Sequence, residues 1–217
     1  PKFNPDIAIL MDFRVDQSKG MHFIYLLPYS ETEALVESTI FSTNLVDTQY
    51  YLDNINSHLS QYYQVEDYTI THEENGVIPL GKLERHDPSI PGLGANGGAT
   101  RPASGYAFLF IQRQIELAIK RCKAGKEIAF KTPHKKIDLW MDSVLLTVLK
   151  NWPEHGPNMF VNMGKALTGD QFVKFLSGDA GWWIRVKVIF AMPKLPFIKA
   201  VTKRVLPNRK TTNPVVA

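Results

Sequence analysis

Between Ile7 and Ser42 the chain runs in short apolar stretches broken by polar turns, a strand period and not a helix period. Residues from about Ile7 to Gln17 predict a strand, with Met11, Phe13 and Val15 on one face and Asp12, Arg14 and Asp16 on the other. Ser18-Lys19-Gly20 turns the chain into Met21–Ser30, and Ser30-Glu31-Thr32-Glu33 turns it again into Ala34–Ser42. Three antiparallel strands in a meander follow from this order. On the third strand Glu37 shares a face with Leu35, Thr39 and Phe41.

The period then lengthens. Asp47 is a predicted N-cap for a helix through Tyr63, with Leu52, Ile55, Leu59 and Tyr62 at helical spacing. Val65–His72 alternates like a strand, Glu73-Glu74-Asn75-Gly76 is a turn, and Val77–Leu80 is a short extended piece. Pro88–Gly105 is the stretch richest in Gly and Pro, and a helix over Tyr106–Ala124 follows it. Beyond Lys126 helices dominate: Ile137–Asn151, ended by Trp152-Pro153, then Met159–Leu167, then a helix opened by a capping box at Thr168-Gly169-Asp170-Gln171 and closed at Ser177-Gly178. The fold class is therefore α+β. It divides into an antiparallel-sheet region (1–90), a loop with its following helix (91–125), and a helical C-terminal part (126–217).

Length and composition change this picture little. The 217 residues are 44% hydrophobic and 21% charged, as in a globular protein with ample core. Charge is more informative, because eight Lys/Arg and no Asp/Glu lie between Gly181 and Ala217, which leaves the preceding 180 residues at a net −4 against the overall +4. That tail mixes its bases with Trp182, Trp183, Phe190 and Phe197, and its apolar runs fall short of the roughly 20 residues needed to span a bilayer. It suits a helix lying on an anionic membrane surface; a C-terminal bundle with snorkelling bases is the competing arrangement.

Candidate chemistry is narrow. The six His residues form no metal-binding pattern, so no metal is expected, and Cys122 is an incidental thiol. There is no nucleophile elbow or phosphate loop, and the basic and aromatic residues sit in a terminal helical tail instead of on a sheet face, which argues against nucleic acid. Gly92-Leu93-Gly94-Ala95-Asn96-Gly97 matches the dinucleotide fingerprint formally. It is rejected as a Rossmann loop, because no strong strand precedes it and Arg101-Pro102 interrupts the required helix start. Its neighbours Gly97, Gly98 and Gly105 suit either a plain loop or close approach of backbone to a flat cofactor. Glu37 has two readings as well: buried it would be a protonated carboxyl, and on an edge strand it would face water or meet Arg14 or a lysine.

Several of these segments together resemble one family. Met11-Asp12-Phe13-Arg14, the strand end Tyr25-Leu26-Leu27-Pro28-Tyr29-Ser30 and Leu35-Val36-Glu37-Ser38-Thr39 are similar to the central region of the flavin-dependent lycopene cyclases. The run Gly97-Gly98-Ala99-Thr100-Arg101-Pro102-Ala103-Ser104-Gly105 is similar to that family's second flavin-contacting segment. The resemblance covers nearly the whole chain and weakens after about Ala200. It departs at Ser38, because the plant branch has Phe-Leu-Glu-Glu-Thr, so only Glu37 inherits the carboxylate role.

The resemblance implies a larger FAD-binding fold of the glutathione-reductase type, of which this is the C-terminal half. The chain begins Pro1-Lys2-Phe3 without Met, and the expectation is that the dinucleotide-binding portion precedes it and that this half is inactive alone. It implies lycopene as substrate, cyclised at its ends to β-ionone rings without net redox change, with reduced FAD as cofactor and NAD(P)H as its reductant. It implies Glu37 as the catalytic acid and Gly97, Gly98, Thr100, Arg101, Pro102 and Gly105 at the flavin. Arg101 is open to a phosphate or flavin oxygen or to a structural ion pair. Phe23, Tyr25, Tyr29 and Phe41 are the expected carotene-binding residues, and the expected location is peripheral, on the cytoplasmic face of a membrane. The alternatives are a related isoprenoid-modifying flavoprotein reductase or monooxygenase, and a non-catalytic membrane-binding module.

Overall fold

A computed structural model describes residues 2–81, 92–205 and 215–216, with side chains as far as Lys203. Pro88–Pro91 at the start of the Gly/Pro-rich stretch, His86, and the bases Arg209 and Lys210 lie outside the described residues. The chain forms two compact units, Pro1–Ile78 with Val215–Ala217, and Pro79–Pro214. The Gly-rich loop and the C-terminal helices thus share one unit.

The first unit is the expected meander. β1 (Ile9–Asp12), β2 (Met21–Pro28) and β3 (Ala34–Phe41) are antiparallel in the order β1-β2-β3. The hairpin joining β2 to β3 closes where predicted, with the Tyr29 and Ser30 amides donating to the Glu33 carbonyl and the Ser30 hydroxyl accepting from the Thr32 and Glu33 amides. β1 is much shorter than the predicted Ile7–Gln17 strand. Its ladder is irregular between Ile9 and Asp12, and beyond it the Asp12 carboxylate accepts from the Arg14 amide and Nε, which curls the chain out of the sheet.

Asp47 caps α1 (Thr48–Tyr63) as expected, its carboxylate accepting from the Gln49 amide at 2.8 Å. The helix packs against β3 and covers the sheet face that carries His22, Ile24 and Leu26, shown by Tyr50 meeting His22 and His58 meeting Asp12. Ile24, Leu26, Ile40 and Leu59 are buried and form this core. Val65–His72 alternates like a strand but forms no ladder in the structure. Alternation supplies a face and no hydrogen-bonding neighbour, and a strand needs both.

The second unit is helical. α2 (Phe108–Lys123) follows the Gly-rich loop, and α3 (Lys136–Asn151) ends at Trp152 before a 3-10 turn begun by Pro153. Then come α4 (Gly156–Ala166), α5 (Gly169–Leu176), α6 (Trp182–Ala191) and α7 (Lys194–Val205). The capping box at Thr168 and Gln171 forms in full. α3 packs on α7, and α4 on α5 and α6, around Val144, Val148, Leu149, Met159 and Val188. Among the described residues no helix is long and apolar enough to cross a membrane.

Candidate functional site

The β2–β3 register decides which residues can act together. Tyr25 opposes Glu37, Phe23 opposes Thr39, Met21 opposes Phe41 and Leu27 opposes Leu35. Alternation therefore collects Phe23, Tyr25, Glu37 and Phe41 on one sheet face, the face away from α1. At one end of it Phe23 stands edge-on to Phe41 and Phe13, with ring centroids 5.7 and 6.0 Å apart, and both Phe23 and Phe41 are buried. Toward the hairpin the face opens: Tyr25 is half-buried, and Leu35 and Glu37 are exposed. Tyr29 lies one residue past β2, in the turn, and is 62% exposed.

Glu37 is thus an exposed carboxylate at the outer strand of the three-stranded sheet, not a buried one; the edge-strand alternative is the one realised. The reason is that β3 is the last strand of its three-stranded sheet, and toward the hairpin its outward positions Leu35 and Glu37 are exposed. Its Oε1 accepts a 2.6 Å hydrogen bond from the Thr39 hydroxyl two residues along the same face. Arg14, the other partner open to it in the sequence, is committed to Asp12 through Nε and Nη2 and lies over the Tyr62 ring at 3.9 Å. Burial works against the ionised Asp12, but the hydrogen bonds and charge of Arg14 win and hold its carboxyl below the ordinary value.

Ser38 points to the opposite face. There its hydroxyl meets His22 Nε2 at 2.8 Å, while Nδ1 of the same ring lies 2.8 Å from the Asp16 carbonyl. A carbonyl only accepts, so Nδ1 carries the proton and Nε2 accepts from Ser38. His22 is fully buried, and burial pushes its pKa down, which keeps it neutral. Asp16 in turn accepts from the Ser18 and Tyr50 hydroxyls, which lower its pKa. The second acidic place of the plant motif is therefore a half-buried hydrogen-bonding place here, separated from Glu37 by the thickness of the sheet.

The expected cofactor segment has a different character. Arg101 is 5% exposed, with Nε 2.6 Å and Nη2 2.9 Å from the two Asp142 oxygens and Nη1 donating to the Phe175 and Leu176 carbonyls. Of its two possible partners the structure shows the ion pair. A Cβ on Gly97 would lie 2.3 Å from the Gly92 carbonyl oxygen, so its missing side chain admits backbone and not a ring. Gly98 and Gly105 have φ of +72° and +71° and serve turns. The amides of Gly97, Gly98, Ala99, Arg101, Ser104 and Gly105 all donate to carbonyls within residues 94–106. Thr100 and Pro102 are half-buried and complete the loop. These six amides and the guanidinium are bonded within the protein, so no chemical step is routed through a flavin here.

Side chains missed in the sequence hold this loop. Gln114, fully buried on α2, accepts from the Gly94 amide and donates to the Gly97 and Lys131 carbonyls. Asp138 pairs with Arg185 as Asp142 does with Arg101; burial pushes the Asp142 carboxyl up from its ordinary value while Arg101 pulls it back. The signal was present: Gln114 lies between Phe110 and Ala118, and Asp138 and Asp142 run into Leu145 and Leu149, at spacings that put each polar group on an apolar helical stripe. Among the described residues no cluster of three His, Cys, Asp or Glu could hold a metal ion.

Residues 1–202 match the family described as "Lycopene cyclase protein". A lycopene beta-cyclase of Pantoea ananas is 23% identical over 206 residues, covering 89% of this chain and 53% of its own length. The chain thus spans about half the length of the curated relative it matches. No solved structure matches. With the family matched across almost its entire length, the chain belongs to the lycopene cyclase family.

Proposed function

We propose that the protein containing this chain cyclises the ends of lycopene to β-ionone rings, with Glu37 delivering the proton that starts the reaction. The observation that carries the proposal is the Tyr25–Glu37 pair on an apolar sheet face with Phe23 and Phe41 beside it. A proton added to the terminal alkene leaves a tertiary cation; the neighbouring double bond attacks it, the ring closes, and a proton is lost. Atoms and oxidation state are unchanged.

Each residue has a physical part in this. The cation lasts only where water is excluded, and aromatic faces attract it. Phe23, Tyr25 and Phe41 supply such faces on the same side as Glu37, and Tyr29 stands at the rim where the long polyene would enter. Because Glu37 is exposed in the structure, the reading requires the carotene itself, or further protein, to cover this face. Reduced FAD, with NAD(P)H as its reductant, and a larger glutathione-reductase-like fold belong to the reading through the family alone. A peripheral place on the cytoplasmic side of a membrane belongs to it as well. It is supported by the exposed Trp182, Trp183, Phe190, Leu195 and Ile198 interleaved with bases on α6 and α7.

The test is to supply lycopene to the intact protein under anaerobic, reducing conditions and weigh the product. An isomer of unchanged mass supports cyclisation. A change of two hydrogens or one oxygen assigns the protein to the reductase or monooxygenase class instead. The exposed apolar surface of α6 and α7 favours one further reading, a non-catalytic membrane-binding module, which recovery of lycopene unchanged would support.

A further inference from the structure

α2 ends in a cleft of about 310 Å³ whose polar lining is cationic. Lys120, Arg121, Lys126 and Lys131 line it, over an apolar floor of Leu117, Ala124 and Ala129. Leu117, Lys120, Arg121 and Ala124 fall on one face of α2 by their i, i+3, i+4, i+7 spacing, and residues 126–131 form the facing wall. Among the described residues no Asp or Glu lines the cleft, and Lys120, Lys126 and Lys131 make no ion pair.

Bases at a helix C-terminus ordinarily serve the helix, by bonding its last carbonyls and opposing its dipole. Here the backbone has already done the bonding. The Lys126 amide donates to the Arg121 carbonyl and the Gly125 amide to the Cys122 carbonyl, with Gly125 at φ +65°, while the Ala124 amide reaches the Lys120 and Arg121 carbonyls. Arg121 is further fixed by donating through Nε to the Glu127 carbonyl. Three ammonium groups therefore share one small cleft with the Arg121 guanidinium, with no capping task and, among the described residues, no carboxylate in its lining. Like charges gathered this way repel, and an anion seated among them relieves the repulsion.

The apolar part of the cleft selects among anions. Leu117, in the cleft, and Ile128, next in the chain to the lining residue Ala129, are each 49% exposed, so a ligand that is all charge leaves them in water. A ligand with a phosphate next to hydrocarbon satisfies both sets of groups. We propose that this cleft binds the phosphate headgroup of an acidic phospholipid, the ammonium groups meeting the phosphate and Leu117 and Ile128 entering the acyl boundary. The proposal rests on the peripheral-membrane part of the reading above and adds to it a headgroup charge and a place.

The experiment is flotation of the intact protein with vesicles of phosphatidylcholine alone and with phosphatidylglycerol added, for wild type, Lys120→Gln/Lys126→Gln/Lys131→Gln, and Trp182→Ser/Trp183→Ser. Each lysine near an anionic surface is worth about fivefold, so the triple variant should lose roughly a hundredfold in binding to phosphatidylglycerol vesicles while binding neutral vesicles as wild type does. All five positions changed are exposed, so the far-ultraviolet circular dichroism and thermal midpoint should stay at wild type. A triple variant that keeps the wild-type preference for phosphatidylglycerol overturns the cleft and leaves the membrane reading standing on α6 and α7. Wild type that binds neither vesicle overturns both. Displacement by millimolar inorganic phosphate as readily as by lipid, or tighter binding to a single-stranded oligonucleotide, overturns the lipid as the ligand.

Discussion

Tyr25 and Glu37 stand directly opposite each other across the β2–β3 ladder, while Ser38, one residue along, turns to the far side of the sheet and bonds His22. One step in sequence thus separates an exposed acid on an aromatic face from a buried hydrogen-bond network. The two positions should respond differently to substitution.

Glu37→Gln removes the acidic proton and keeps the shape and the acceptor for Thr39. The expected outcome is an intact protein with a wild-type thermal midpoint and at least a hundredfold loss of ring formation, the lower range of what a positioned acid contributes. Chromatographic assay of β-carotene from lycopene decides it; near-wild-type output removes Glu37 from the mechanism.

His22 and His58 are both buried, yet only His22 is bonded. Among the described residues both His58 ring nitrogens lack a hydrogen-bond partner, with Asp12 no nearer than 3.6 Å. His22→Leu strands the Ser38 hydroxyl and should destabilise by about 1–3 kcal/mol. His58→Leu removes two buried nitrogens that make no hydrogen bond among the described residues and should be neutral or stabilising. Urea unfolding of the two variants side by side checks this, and equal losses would contradict the hydrogen-bond assignment.

Stability should fall as pH drops below about 6.5. Burial holds the pKa of His22 and of His58 below the ordinary histidine value of 6.5, so on acidification the unfolded chain takes up protons before the native one does. The contribution is complete above the unfolded pKa and is lost from there down through the native values. Asp12 and Asp16, depressed from 3.8, add a second loss only in the more acidic range below that value. Unfolding midpoints at pH 7.5, 6 and 5 should decline for wild type and decline less for His58→Leu.

Arg101→Met leaves Asp142 as a buried charge without its partner, at a cost of about 3–5 kcal/mol. The loss should appear as a lowered thermal midpoint and poor recovery of folded protein. A variant that folds like wild type but has lost flavin would instead restore Arg101 to the cofactor.

How far the sequence reached depended on the range of the interaction. The Asp47 cap and the Thr168–Gln171 capping box join residues two and three apart, and both were legible because local chemistry specifies them. The meander was legible through its turns. Val65–His72 was not, because a ladder depends on a second strand that alternation does not supply. Arg101 shows the same limit in the candidate site: its partner lies 41 residues away on α3, and a lone arginine in a Gly-rich loop has the same sequence appearance whether it holds a phosphate or a carboxylate.

The order of motifs and the alternation of β2 and β3 determined by themselves the family and the company Glu37 keeps, since a period of two puts Leu35, Glu37, Thr39 and Phe41 on one face in any register. Only the tertiary structure decided that β3 is the outer strand, that Glu37 meets Thr39 and water and not an apolar wall, and that the glycine loop turns its donors inward. Burial and ion pairing depend on which distant segments arrive beside a residue, and no local pattern carries that information.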